Sequence, residues 1–418
     1  MTGQLECFDD DIGRSRGLAT TRRMNVICLS SIDWGFNWQV HQQVMSTLAQ
    51  RGHRVLFVEN TGVRRPSPRD WPRLVGRLRN RGRGRRGIWT AMPNLAVCSP
   101  VLLPFPYSRP ARWVNGTLLL RTLADWRRAA PPGPLVLWTF LPTPLALDLM
   151  TRLTPAVTVY HCVGDLPSSS TAAAKLRSSE TRMLRDVDLV FVTSRRLRDR
   201  ALAHRLDAHL VSFGVDFARF QAVRKDGLPA PRELEGLRRP LVGYVGGVHR
   251  WVDQRLLESV ATAMPGATFV FLGPLQTEVG RLASLPNVRF LGARPHEELA
   301  RYIKEFDVGI VPYLLMEYTA HVSPTKLNEY LAMGLPVVAT ALPEIGYFNE
   351  RHASVVRIAS EAQSFVDQLR EAFGDGNADV VHKRMEIARA NSWSIRTGEM
   401  TALVDEALGG LQPAARHA

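Results

Sequence analysis

Short runs of β-branched and other apolar residues alternate along most of this chain with stretches whose apolar positions recur every three or four residues. That alternation predicts parallel strands joined by helices that cover both faces of a sheet. The first run, 24-MNVICLSS-31, leads through 32-IDWGFNWQ-39 into a predicted helix near Val40 to Arg51. Gly52 ends that helix and 54-RVLFVEN-60 forms the next strand, which completes one strand-helix-strand unit. Further strands are predicted at 135–140, 156–162, 188–194 and 209–214. The stretch 223-VRKDGLPAPRELEGLRRP-240 then breaks the pattern with three prolines and mixed charge, and reads as an interdomain linker. The theme restarts with 241-LVGYVGG-247, a helix near Asp253 to Ala263, and strands at 267–273, 288–292, 307–313, 336–340 and 353–358. Helices near 361–373, 378–390 and 392–408 finish the chain.

The predicted fold class is therefore α/β, with two doubly wound Rossmann-like domains facing each other across a cleft. The domains are residues 24–222 and 241–390, followed by a carboxyl-terminal helix and tail, 391–418, that crosses the junction. Ligands of such sheets bind beyond the carboxyl ends of the strands, so the cleft is the expected site.

At 418 residues and 45% hydrophobic, the chain is large enough to bury two cores. The four cysteines, Cys7, Cys28, Cys98 and Cys162, are too far apart to read as a zinc or dithiol motif, and point to free thiols in a reducing compartment. The most apolar window, 135-LVLWTFLPTPLALDLM-150, holds two prolines and an aspartate, so no membrane-spanning helix is expected. Residues 1–23 carry Glu6 and the run Asp9 to Asp11 and read as a disordered leader.

The formal charge is +14, and it is concentrated: residues 64–86 hold ten arginines against one acid, Asp70. This basic insertion, residues 64–87, also contains Trp71, Leu74, Val75 and Leu78 and is followed by Trp89. Such a mixture fits contact with an anionic membrane surface, the alternative being a solvated loop. No zinc-finger spacing or RNA-binding signature accompanies the charge, so nucleic acid is not an expected partner.

Candidate chemistry concentrates in 321-HVSPTKLNEYLAMGLPVVAT-340. Ser323 is placed to cap a helix, Pro324 suits its first turn, and Gly334 and Pro336 end it. Lys326 in the first turn would add an ammonium to free backbone N–H groups and the helix dipole, which makes a diphosphate site. Glu329, one turn deeper, has the chemistry to accept hydrogen bonds from sugar hydroxyls. A surface ion pair between Lys326 and Glu329 is the alternative reading of the same spacing.

The stretch resembles the signature of GT-B glycosyltransferases of the family 4 type, through Ser323, Pro324, Lys326, Glu329, Tyr330, Ala332, Gly334, Pro336, Val337 and Val338. The resemblance covers roughly residues 24–400 and implies a GT-B fold with the carboxyl-terminal domain holding a nucleotide-diphosphate sugar. It implies that Lys326 neutralises the donor diphosphate and that Glu329 binds the ribose, with Ser323 and Thr325 beside them. His321 stands where many members carry a second glutamate. The segment 241-LVGYVGGVHRWVDQRLL-257 is similar to the family's first donor-side strand and glycine turn, which places Gly246, Gly247 and Arg250 near phosphate. The segment 287-NVRFLGARPHEELARYI-303 implies that Gly292 to Arg294 border the base.

The amino-terminal half resembles a subgroup acting in teichuronic-acid or exopolysaccharide synthesis. Its aromatic loop corresponds here to Asp33, Trp34, Phe36, Trp38 and His41, with Trp34 and Trp38 either stacking on sugar or sealing a core. The run 158-TVYHCVGDLPSS-169 is similar to a strand-end segment of the subgroup and makes Asp165 the candidate general base, with His161 second. Helix or turn capping is the structural alternative for Asp165, and Gly164 stands where the subgroup often has an aspartate.

The expected activity is transfer of a sugar from a nucleotide-sugar donor to a saccharide or lipid-linked saccharide acceptor, with no metal or other cofactor, in the cytoplasm and peripheral to the inner face of the cell membrane. Retention and inversion both stay open. A nucleotide-sugar 2-epimerase and a non-catalytic sugar-nucleotide-binding protein are the alternatives.

Overall fold

The computed structural model describes residues 22–35, 38–61, 87–168, 171 and 173–410. The leader up to residue 21, Phe36, the basic segment 64–86 and the tail from 411 lie outside the described residues.

Fourteen strands among the described residues form two sheets. In the amino-terminal sheet the order is β3-β4-β2-β1-β5-β6-β7-β8. Its strands are β1 (Asn25–Leu29), β2 (Arg54–Val58), β3 (Ile88–Met92), β4 (Leu95–Cys98), β5 (Leu135–Thr139), β6 (Val157–Cys162), β7 (Leu189–Val192) and β8 (His209–Leu210). All neighbours run parallel except β3, which pairs antiparallel with β4 at the edge. The carboxyl-terminal sheet has the order β11-β10-β9-β12-β13-β14, wholly parallel. It is built from β9 (Leu241–Val245), β10 (Thr268–Leu272), β11 (Val288–Gly292), β12 (Val308–Val311), β13 (Val337–Thr340) and β14 (Arg357–Ala359).

Central strands covered by helices on both faces must be apolar throughout, and β1, β5 and β9 are buried at every position. In both sheets the strand order departs outward in two directions from a central pair, which opens a crevice at the strands' carboxyl ends. The hairpin β3-β4 follows the basic segment and is absent from the pattern-based prediction, because 88-IWTAMPNLAVC-98 has no regular alternation. The expected strand at 209–214 shrinks to two residues, and that at 353–358 begins only at Arg357, after Ala353 and Ser354 have taken left-handed backbone (φ 51° and 52°).

The linker 223–240 is partly helical. Helix Phe217–Lys225 enters it and packs on helix Thr325–Ala332, where the Gln221 Nε2 donates to the Ala332 carbonyl at 2.7 Å.

Helix Trp393–Gly410 returns to the amino-terminal domain. It packs on helix Val40–Gln50 and buries Trp393, Met400, Val404 and Leu408 in a cluster with Val26, Val44, Leu48 and Phe191. Its start is tied down by the Trp393 N–H on the Val215 carbonyl at 3.0 Å and by an Arg51 guanidinium N–H on the Ser394 carbonyl at 2.5 Å.

Two further contacts cross the junction. The Glu344 carboxylate accepts the Arg195 N–H at 2.9 Å, at the start of helix Arg195–Leu202, and the Arg195 guanidinium lies 4.5 Å from the Tyr347 ring centre. Trp38 and His296 stack at 5.7 Å, with planes 15° apart.

Because Met400 is fully buried, Met400→Ala is expected to cost about 2–5 kcal/mol in denaturant unfolding, whereas Ile395→Ala, on the same helix and 44% exposed, stays within about 0.5 kcal/mol. Equal costs for the two would show that the terminal helix is not part of the amino-terminal core.

Candidate active site

The donor side is assembled where β9 ends and helix Thr325–Ala332 begins. Gly246 has φ 122°, a conformation open to glycine, and the backbone passes so close to β10 that a Cβ on Gly273 would meet the Gly246 oxygen at 2.2 Å. The sequence therefore fixes a tight turn by removing side chains at two levels. Helix Thr325–Ala332 has Pro324 as its N-cap residue, with no side-chain cap. The expected cap, Ser323, stands one position too early, and the first-turn amides keep no side-chain acceptor from it.

Lys326 is 5% exposed and its ammonium reaches beneath the glycine turn: a Cβ on Gly246 would lie 3.2 Å from Nζ. The Nζ donates to the Tyr313 hydroxyl at 2.9 Å and lies 3.7 Å from the Tyr244 ring centre. Its hydrogen bond goes to a tyrosine and not to a carboxylate, so Lys326 and Glu329 act on each other through charge without a direct ion pair among the described residues. The Gly247 N–H has no acceptor among the described residues. A buried cation beneath a turn with an unused N–H donor is an environment that favours an anion.

Glu329 is half-buried on the same helix. Burial pushes its carboxyl up to about 7, against the lowering pull of Lys326 and Arg219. His249, in the loop after the glycine turn, is pushed down to about 4 by burial and by the Lys326 charge. Arg250 is exposed, 5.4 Å from the Trp251 ring centre. Thr325 is exposed at the helix start and Ser323 is half-buried before it. Arg294 donates to Glu233 at 2.8 Å and to the Tyr302 hydroxyl at 3.1 Å.

From the amino-terminal side, β6 delivers Asp165. Burial alone would raise its pKa, but the Ser168 hydroxyl (2.7 Å) and the Arg200 guanidinium (2.5 Å) outweigh that and hold the carboxyl below its usual value. Arg200 also donates to the buried Glu180 at 3.0 Å, and Glu180 accepts the Tyr160 hydroxyl at 2.7 Å. Across the junction stands His321, whose pKa burial lowers while Asp165 opposes the shift. Helix Arg195–Leu202 packs against the turn carrying His321, which brings Asp165 and His321 to one place.

His161 does not join them. It is fully buried, its ring 4.9 Å from Phe140, 5.9 Å from Phe191 and 6.0 Å from Trp138, with neither nitrogen hydrogen-bonded. Side chains alternate along a strand, and β6 turns His161 into the core, so its proposed place as second base is corrected. His41, also buried, keeps its Nε2 2.8 Å from the Ser31 hydroxyl. Trp34 packs edge-on against Phe57 at 5.0 Å and seals the core, whereas Trp38 spans the cleft. Tyr244, Tyr313, Arg200 and Glu344 were not legible as site residues: the two tyrosines read as core positions of strands, and the other two as surface helix charges.

Two parallel α/β domains with an anion-ready helix at their cleft are the architecture of GT-B glycosyltransferases, and the comparisons agree. Sucrose-phosphate synthase from Thermosynechococcus elongatus superposes with a TM-score of 0.65 at 17% identity, covering 92% of this chain and 100% of that one. The Anabaena protein HepE in complex with UDP-glucose gives 0.62 at 16% identity, covering 92% and 100%. Residues 239–375 match the family described as Glycosyl transferases group 1. A Bacillus subtilis (strain 168) protein described as a teichuronic acid biosynthesis glycosyltransferase, TuaH, is 30% identical over 229 residues. The match spans 52% of this chain and 57% of that relative's length.

Burial holds His41 and His161 neutral, each pushed down to about 3. Unfolded histidine binds a proton near pH 6.5, so the unfolded state takes up more protons and stability falls as pH drops from about 6.5 toward 3. Each histidine contributes up to about 1.4 kcal/mol per pH unit in that window. His161→Phe is expected to reduce the slope of unfolding free energy between pH 6 and 4; an unchanged slope would mean that His161 is not held neutral.

Proposed function

We propose that the chain is a nucleotide-sugar-dependent glycosyltransferase that transfers a sugar to a saccharide or lipid-linked saccharide acceptor in the synthesis of a cell-surface polysaccharide. The observation that carries the proposal is the buried, unpaired Lys326 ammonium beneath the Gly246–Gly247 turn. The family match of residues 239–375 supports transfer, the bound UDP and UDP-glucose of the HepE structures support the donor class, and the teichuronic acid relative supports the pathway type. No helix among the described residues is long and apolar enough to cross a membrane. An anionic membrane surface stays a proposed partner through residues 64–86, on their sequence alone.

In this reading, Lys326 and the first-turn amides take up the negative charge that grows on the departing diphosphate, which lowers the barrier most where the donors are already in place. Glu329 accepts the ribose hydroxyls. Asp165 is held ionised by Arg200 and Ser168, and so orients an acceptor hydroxyl as a hydrogen-bond acceptor with weak basicity. His321 faces it from the donor domain. Gly246, Gly247 and Arg250 line the phosphate path.

Replacing Lys326 with alanine is expected to reduce product formation from a nucleotide sugar by roughly 100- to 1,000-fold with the fold retained by circular dichroism. Full activity in that variant would refute the proposal. A second expectation concerns pH. Ribose hydroxyls donate to the carboxylate form, so nucleotide affinity should fall as pH drops below about 7 and Glu329 protonates. Calorimetric titration at pH 8 and 6 should show a smaller ratio of dissociation constants in Glu329→Gln than in the natural protein; equal ratios would remove Glu329 from the ribose site.

A further inference from the structure

Lys326 raises a question that its own role does not answer. An ammonium this deeply buried ordinarily takes a carboxylate partner, because desolvating an unpaired charge is costly. Here its surroundings are aromatic. The Nζ lies 3.7 Å from the Tyr244 ring centre and 4.9 Å from that of Tyr313, and it donates to the Tyr313 hydroxyl at 2.9 Å. The Tyr244 hydroxyl donates to the Gly247 carbonyl at 2.9 Å. One tyrosine hydroxyl thus accepts from the ammonium while the other is tied to the backbone of the glycine turn.

Both tyrosines are rigidly placed. The Tyr313 N–H donates to the Thr340 hydroxyl at 3.1 Å, and that hydroxyl donates back to the Tyr313 carbonyl at 2.7 Å. Tyr244 is fully buried within β9, flanked by Phe271 at 5.7 Å.

We propose that Tyr244 and Tyr313 are positioning residues of the donor site, a π-face and hydroxyl cage that holds the Lys326 ammonium under the Gly246–Gly247 turn without neutralising it. A carboxylate in their place would fix the lysine equally well but would cancel its charge and repel a diphosphate. Aromatic faces attract a desolvated cation while carrying no net charge. The buried Tyr244 hydroxyl also occupies the Gly247 carbonyl, so that this acceptor is turned toward the core. This inference rests on the reading of Lys326 as the diphosphate ligand.

The test uses the full chain and calorimetric titration with UDP, GDP and ADP, continued with the tightest binder and its phosphate-free nucleoside. Tyr313→Phe keeps the ring and removes the hydroxyl that Lys326 uses. It is expected to weaken the nucleoside diphosphate roughly five- to tenfold, about 1–1.4 kcal/mol, while the nucleoside stays within about twofold. Lys326→Met should weaken the diphosphate by more and the nucleoside no further. Diphosphate binding by Lys326→Met at the natural affinity would overturn the donor-site reading, and the cage with it. Weakening in Lys326→Met with none in Tyr313→Phe, or equal weakening of nucleoside and diphosphate in Tyr313→Phe, would overturn the cage alone. A merely structural tyrosine would move both ligands together.

Discussion

One buried positive charge without a direct ion-pair partner sets the terms for the carboxyl-terminal domain. Lys326 is kept from water by helix Thr325–Ala332, by the end of β9 and by Tyr313 after β12. Each wall must approach closely, and the close approaches explain local sequence that would otherwise read as arbitrary. Gly246 leaves space for the ammonium and Gly273 leaves space for Gly246. The energetic cost of the arrangement is met in part by the tyrosine faces and is relieved fully only when an anion arrives.

The cleft in front of that charge has defined walls because the two domains are joined at several places. The terminal helix from Trp393 is part of the amino-terminal core, while Asn391, just before it, accepts the Val215 N–H. Glu344 supplies an acceptor to the first amide of helix Arg195–Leu202, where unpaired N–H groups and the helix dipole favour a carboxylate. That same helix carries Arg200, which fixes Asp165. The contact that ties the domains together and the contact that orients the strand-end aspartate therefore share eight residues of helix.

Most of the architecture was legible in the sequence, since apolar runs of strand length separated by amphipathic stretches leave few alternatives to two doubly wound sheets. Lys326 and Glu329 were legible because a Pro at the start and a Gly at the end bracket one short helix. What escaped has a physical reason in each case. The hairpin β3-β4 lacks alternation, being at an edge and half-buried along β3. His161 lies beside the right residues in sequence, but a strand points neighbours to opposite faces, and only the register of β6 against β7 reveals which face is the core. Tyr244 and Tyr313 pass for packing residues because their function uses their buried faces. The Arg200 network joins residues 20 and 35 positions apart, beyond any local spacing rule.

The two sides of the cleft differ in how their charges are balanced. On the donor side the cation is unpaired, and Glu329 is pushed toward neutrality by burial. On the facing side Asp165 is paired with Arg200 and hydrogen-bonded to Ser168, with Glu180 as the second partner of the same arginine. The buried cation without a direct ion pair therefore stands on the donor wall. Stabilising a leaving group needs strong preorganised charge, whereas directing a hydroxyl needs orientation more than basicity, because a carboxylate held below its usual pKa abstracts a proton poorly. The distribution of compensated and uncompensated charge thus places the larger share of the proposed catalysis on the departing diphosphate and leaves the acceptor side to set geometry.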